Sequence, residues 1–178
     1  MAARTRIIAG GLALVAAFGL ASCDGLDMGG PGAMNGFQGN YFAARTALEK
    51  GNYAAAAGRY ASMLDGAGPL ESRLRLEMAH ALLRADRYAE ASSQAQIVAT
   101  MHQDSRRAAA LAVLGTAEHR LAQDAMSRGD FGPETLTHLR RADAAFGEML
   151  AKAPDLDPLG GLAQRHQMVK ASLANLGG

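Results

Sequence analysis

The chain of 178 residues has no tryptophan, one cysteine, three isoleucines and four valines. Ile7, Ile8 and Val15 fall within the first 22 residues, so the remainder holds one isoleucine and three valines. Sheet cores draw on β-branched and aromatic side chains. A sheet-based enzyme fold is therefore excluded on composition. The single Cys23 leaves no partner for an intrachain disulfide and no cysteine cluster for a metal. Lys and Arg number 18 against 17 Asp and Glu, a formal charge of +1. That balance gives no electrostatic pull toward nucleic acid. What is abundant is alanine, 39 residues, and glycine, 21. Alanine is the best helix former and glycine among the poorest. The expectation is an all-α body with glycine-rich ends.

The N-terminus reads as an address. Arg4 and Arg6 precede an uncharged apolar stretch, Ile7 to Ser22, which is a signal-peptide pattern. The stretch is shorter than the roughly 20 residues of a spanning helix. It ends in Leu20-Ala21-Ser22-Cys23, which resembles a bacterial lipobox. The resemblance implies removal of residues 1–22 and lipidation of Cys23, with palmitate-type acyl chains holding the protein on the periplasmic side of a membrane. Losing Arg4 and Arg6 changes the formal charge from +1 to −1. Asp24, next to the lipidated cysteine, resembles the inner-membrane retention signal of enterobacteria; inner and outer membrane both stay open. Residues 23–39 are the lipid attachment point and a glycine-rich tether, whose flexible coil spans roughly 20–25 Å.

Residues 40–178 read as one helical domain, and within it the sequence repeats. Gly51-Asn52-Tyr53 with Ala56 returns as Asp86-Arg87-Tyr88 with Ala91, an offset of 35. A third unit has Leu114-Gly115 on its first helix and Ala142, Phe146, Met149 and Pro154 on its second. These positions resemble the tetratricopeptide repeat of about 34 residues. Ala44 and Ala79 take the small position of the repeat's first helix. Ala56, Ala91 and Ala142 take that of the second helix, followed by Tyr60, Ala95 and Phe146. Ala95 departs from the expected aromatic. Met63, Val98 and Met149 stand where small residues are usual, and Arg75 replaces a large apolar residue. The third unit carries about 15 extra residues between its anchors. The resemblance covers residues 40–155 and implies a helical-hairpin solenoid of about three repeats with a C-terminal capping helix.

Prolines at 69, 133, 154 and 158 separate the helical patterns, as residues that break helix interiors should. Helices are predicted at 40–50, 53–66, 70–85, 88–103, 105–128, 133–152 and 158–175. The long fifth and sixth are expected to project as a hairpin with its tip at 128–133. In the last, Leu159, Leu162, His166, Val169, Leu173 and Leu176 form one apolar stripe.

Catalytic and metal patterns are missing. None of His80, His102, His119, His138 and His166 falls in a zinc-binding spacing. His119 and His138 face each other across the long hairpin and are read as solvated surface residues. His166, in the apolar stripe, is read as partly buried and hydrogen-bonded. Asp130-Phe131-Gly132 matches a kinase triplet with none of its companions and reads as a turn. No enzyme, cofactor, metal or small-molecule substrate is expected.

The tetratricopeptide resemblance implies a peptide groove lined by the first helix of each pair. Carried over, the groove comprises Tyr41, Arg45 and Leu48; Arg73, Leu76, His80 and Leu83; and Ala112, Thr116 and His119. Its Arg and His content suits an acidic or C-terminal peptide group. The partner implied is another envelope protein. The modest size resembles pilotin-like or tight-adherence pilus lipoproteins, which implies help in assembling a secretion or pilus complex. A second reading docks the 105–152 hairpin as an accessory structural subunit; an envelope or cell-wall enzyme is the third.

Overall fold

A computed structural model describes residues 36–177. The signal segment, Cys23 and most of the tether lie outside the described residues. Seven α-helices make up the described body: α1 (Phe37–Glu49), α2 (Tyr53–Ser62), α3 (Glu71–Arg84), α4 (Tyr88–Met101), α5 (Ser105–Ser127), α6 (Pro133–Lys152) and α7 (Gly161–Asn175). No strand occurs among the described residues. None of these helices is long and apolar enough to cross a membrane. The protein is all-α.

The boundaries follow local chemistry. α1, α3 and α5 end in the same hydrogen-bonded cap. The Asn52, Arg87 and Asp130 amides donate to the carbonyls of Ala47, Leu82 and Ala125, at 2.8, 2.9 and 3.0 Å. The residue before each donor is left-handed: Gly51 at φ 79°, Asp86 at 57° and Gly129 at 79°. This six-to-one bond with a left-handed residue is the Schellman cap. At the other end, the Asp104 carboxylate accepts the Arg106 amide at 2.9 Å to start α5. Pro133 opens α6 at a position where its missing N–H costs nothing. The Asp157 carboxylate accepts the Leu162 and Ala163 amides to start α7.

Three boundaries differ most from the sequence expectation. α1 begins at Phe37, three residues early and within the expected tether. α2 stops at Ser62, four residues short. Gly66 and Gly68, both at positive φ, turn the chain there, and Pro69 sits in a single 3₁₀ turn before α3. α7 begins at Gly161 rather than 158, because Pro154–Leu156 forms its own 3₁₀ turn and Gly160 is left-handed.

Each helix packs chiefly on the next, and the core forms three overlapping clusters. The first joins α1 to α4 around Tyr60, Leu74 and Leu82. The second joins α3 to α6 around Val98, Leu111, Val113 and Met149. The third joins α5, α6 and α7 around Ala122, Leu139, Phe146 and Val169. Contacts beyond immediate neighbours are stronger between odd-numbered helices, α3 with α5 and α5 with α7, than between even-numbered ones.

Small residues set the closest approaches. Ala44, Ala56, Ala79, Ala91 and Ala142 are all fully buried. At Gly115 an added Cβ would lie 2.8 Å from the Phe146 ring, a distance no real Cβ contact reaches. Ala95, standing where Tyr60 and Phe146 stand in the other units, is also fully buried. Arg75 sits at its apolar-type position by pairing: it donates to Glu71 at 2.8 Å and to Gln94 of α4 at 2.7 Å.

The long α5–α6 hairpin does not stand free as expected from its length. Met126, Leu139, Leu173 and Leu176 all belong to the third cluster, so α7 runs along the outer half of the hairpin and covers it. Thr135 and Leu139 are buried near the tip, and of the tip residues only Phe131 presents a large apolar side chain, 55% exposed.

Candidate functional site

The odd-numbered helices carry the residues expected to line a groove, and the structure divides them into two ends with different electrostatics. On α1 and α3, Tyr41, Arg45 and Arg73 are brought together around Glu77. The Tyr41 and Tyr60 hydroxyls each donate to the Glu77 carboxylate at 2.7 Å. Arg73 Nε lies 3.3 Å from it and Arg45 Nη1 3.5 Å. Arg73 also donates to the Tyr41 hydroxyl at 2.9 Å and stacks over its ring. Burial pushes the Glu77 carboxyl up; the two phenols, Arg73 and Arg45 outweigh that, and its pKa falls below the ordinary value. Burial, with the Glu77 hydrogen bond, pushes the Tyr60 hydroxyl the other way. Glu77 does not stand out in the sequence. It sits four residues after Arg73, a visible helical pair, but its contacts with Tyr41 and Tyr60 come from other helices.

The apolar candidates belong mainly to the core edge. Leu48 and Leu83 pack half-buried on the first cluster, Leu76 and Ala112 on the second. His80 is exposed, yet surrounding protein desolvates it enough to lower its pKa, with Glu77 opposing. An accessible ring crowded by neighbouring atoms has this combination. Thr116 is half-buried, and its hydroxyl donates to the Ala112 carbonyl at 2.8 Å.

His119 differs most from expectation. It is neither solvated nor open on the groove but 2% exposed. Desolvation lowers its pKa, and the charges of Arg165 and Arg120 lower it further. Its Nδ1 has no hydrogen-bond partner among the described residues, and neither has Gln123 Oε1 one turn further along α5. Arg120 and Arg165 make no ion pair or hydrogen bond among the described residues. The two arginines of the α5–α7 end thus have no bonded partner, although Asp124 stands one turn along α5 from Arg120 and acts with it on Tyr88, whereas the α1–α3 end holds two arginines drawn onto one glutamate.

The long hairpin contains a separate polar contact. His138 does not meet His119. It approaches Glu118 instead, Nδ1 to Oε2 at 2.6 Å. Glu118 is 1% exposed and also accepts the Ser92 hydroxyl at 2.5 Å, with Arg141 at 3.6 Å. One carboxylate thus ties α4, α5 and α6. His166, in the apolar stripe of α7, is 8% exposed and lies 2.8 Å from Asp143. Both are fully partnered contacts inside the helix stack. No group of three or more His, Cys, Asp or Glu side chains able to hold a metal occurs among the described residues.

The concavities are shallow, and one of about 470 Å³ lies at the α1–α2 turn beside Asn52, Tyr53 and Ala85. Another of about 300 Å³ sits at the α4–α5 turn beside Arg107, Glu148 and Lys152. There Arg107 holds Glu148 in two hydrogen bonds of 2.6 and 2.8 Å, and the pair, helped by Lys152, pulls the carboxyl down to about 2. A smaller one of about 130 Å³ lies between Phe37, Tyr41, Leu70, Arg73 and Leu74.

No family model matches the chain, and no curated protein or solved structure matches it either. The functional reading rests on the residues alone.

Proposed function

We propose that this protein is a lipid-anchored, periplasm-facing scaffold whose tetratricopeptide-like helical stack captures another envelope protein and assists assembly of a complex such as a secretion or pilus system. The observation that carries it is the repeated cap. Gly51, Asp86 and Gly129 adopt the same left-handed turn, each followed two residues later by an aromatic, Tyr53, Tyr88 and Phe131. Three helix pairs thus turn on one device, which is the behaviour expected of a repeat unit rather than of unrelated helices. The closer approach of the odd-numbered helices supports a stack that curves toward them, leaving their free face concave. The lipobox-like Leu20 to Cys23 supplies the anchor in this reading. Anchoring raises the local concentration of the concave face at a membrane-borne partner.

Two variants test the reading. Cys23→Ala should release the chain from the membrane fraction; a chain that stays there contradicts the anchor. Thr116→Glu, on the odd-helix face, should abolish co-purification with an envelope complex while leaving the helical melt unchanged. A second reading, docking through the hairpin tip, is favoured by one observation: Phe131 is 55% exposed, although its counterparts Tyr53 and Tyr88 are half-buried. It predicts the reverse, loss on Phe131→Ser and none on Thr116→Glu.

A further inference from the structure

We infer that the end of the stack where the tether joins α1 is a membrane-contacting face, whose apolar side chains Phe37, Leu70, Met101, Leu156 and Leu159 rest in the headgroup layer of an uncharged bilayer. The inference rests on the Cys23 anchor of the proposed function and adds an orientation to it. Successive helices run antiparallel through their connections, so the chain turns at two opposite ends. Residues 50–52, 85–87 and 128–132 turn at the far end. The start of α1 and the α2–α3, α4–α5 and α6–α7 connections lie at the near end. Contacts join the near set into one surface. The cavity of about 130 Å³ brings Phe37 and Tyr41 of α1 against Leu70, Arg73 and Leu74. The Ser72 hydroxyl at the start of α3 shares a hydrogen bond with the His102 ring of the α4–α5 connection. The cavity of about 300 Å³ brings Gln103 and Asp104 against Lys152 and Ala153 at the end of α6.

Among the described residues eight large apolar side chains stand exposed, and five of them belong to this end: Phe37, Leu70, Met101, Leu156 and Leu159. Each near-end connection supplies at least one, and Leu159 is 96% exposed. The far turns supply Phe131 alone. Exposed apolar side chains gathered on one surface mark a place of contact. The tether names what is contacted. Thirteen residues separate Cys23 from Phe37, a reach of about 45 Å fully extended and about 20 Å as the glycine-rich coil expected from its sequence. The 23 residues of α5 measure about 35 Å, so the far end stands a helix length further from the lipid. An anchor this close makes the near-end contact an intramolecular one, and weak apolar contacts then suffice. The charges of the face select the kind of lipid. Glu71 pairs with Arg75, Asp104 with Arg106, Arg73 with Glu77, and Glu148 with Arg107 and Lys152. Asp157 caps α7. Asp65, Asp155 and, one turn inside α2, Arg59 are exposed and make no ion pair among the described residues. The spare charge is therefore acidic on balance, which disfavours anionic headgroups and leaves an apolar contact with an uncharged surface.

The chain has no tryptophan, so a single introduced one reports its own surroundings. The test reconstitutes the full lipidated chain in phosphatidylcholine vesicles with brominated acyl chains, as Leu159→Trp, Met101→Trp or Phe131→Trp. The first two should emit further to the blue and lose intensity to the bromine; Phe131→Trp should do neither. Equal quenching at Phe131→Trp, or no quenching at Leu159→Trp or at Met101→Trp in a chain that floats with the vesicles, overturns the orientation and leaves the anchor standing. A chain that does not float with them overturns both. A blue shift at Leu159→Trp that grows with protein concentration and escapes the bromine makes a second copy of the chain the occupant and overturns the proposal. Exchanging part of the lipid for phosphatidylglycerol should leave the quenching no stronger. Quenching that appears only with phosphatidylglycerol contradicts the uncharged surface and overturns the proposal as well.

Discussion

The two ends of the odd-helix face are made of the same residue types and do opposite things. At α1–α3, arginines and tyrosines converge on a half-buried glutamate, and every strong group finds its partner inside the chain. At α5–α7, Arg120 and Arg165 make no ion pair or hydrogen bond among the described residues, and the buried His119 Nδ1 has no partner there. The first arrangement stabilises the stack. The second adds no such tie. A positive side chain on a groove helix is therefore not enough to mark a ligand contact; what matters is whether a carboxylate of the same chain reaches it first.

The contrast can be broken most severely through the core that supports the α5–α7 end. Phe146→Ala should cost about 3–5 kcal/mol, read as a fall in denaturation midpoint. Gly115→Val forces a side chain into the Phe146 ring, which lies 2.8 Å from the point a Cβ would occupy, and should cost about 1–3 kcal/mol or more. Pairing it with Phe146→Leu should recover part of that loss, since both act on one contact.

Next in size is Glu77→Gln. It leaves Arg73 without its counter-charge and Arg45 with only the exposed Glu49 at 3.8 Å, and should cost about 1–3 kcal/mol. Acid titration sharpens the same point. Glu77 has its pKa lowered in the folded state, and Glu148 is held at about 2. Groups depressed in this way contribute stability above their unfolded values and lose it as pH falls through the folded ones. Thermal midpoints should therefore hold steady down to about pH 4.5 and fall below it, with a shallower fall in Glu77→Gln.

The smallest effect separates the caps. Gly51→Ala should cost about 1 kcal/mol, because a Cβ is strained at φ 79°. Asp86→Gly, at φ 57°, should be neutral or stabilising by about 0.5 kcal/mol, the relieved strain being offset by loss of the Tyr88 hydroxyl bond at 2.5 Å.

Helix order and most ends were legible in the sequence because each is written locally: prolines at starts, left-handed residues at stops, alanine between. The early end of α2 was not, since it depends on two glycines acting as turns rather than as tolerated helix residues. The third repeat was readable from Gly129-x-Phe131 as a copy of Gly51-x-Tyr53, a match that the long spacing of α5 and α6 obscured. Site chemistry was least legible. Glu77 gathers residues 17 and 36 positions away, and His138 meets Glu118 from 20 positions away rather than His119. No local spacing encodes either.

The most direct measurement compares arginine Nε proton exchange at the two ends by NMR. Arg73 Nε, bonded to Glu77 at 3.3 Å, should exchange slowly in the full chain and fast in Glu77→Gln, while Arg120 and Arg165, which make no ion pair or hydrogen bond among the described residues, should exchange fast in both. Slow exchange at Arg120 or Arg165, or fast exchange at Arg73 in the unaltered chain, would contradict the contrast between the two ends.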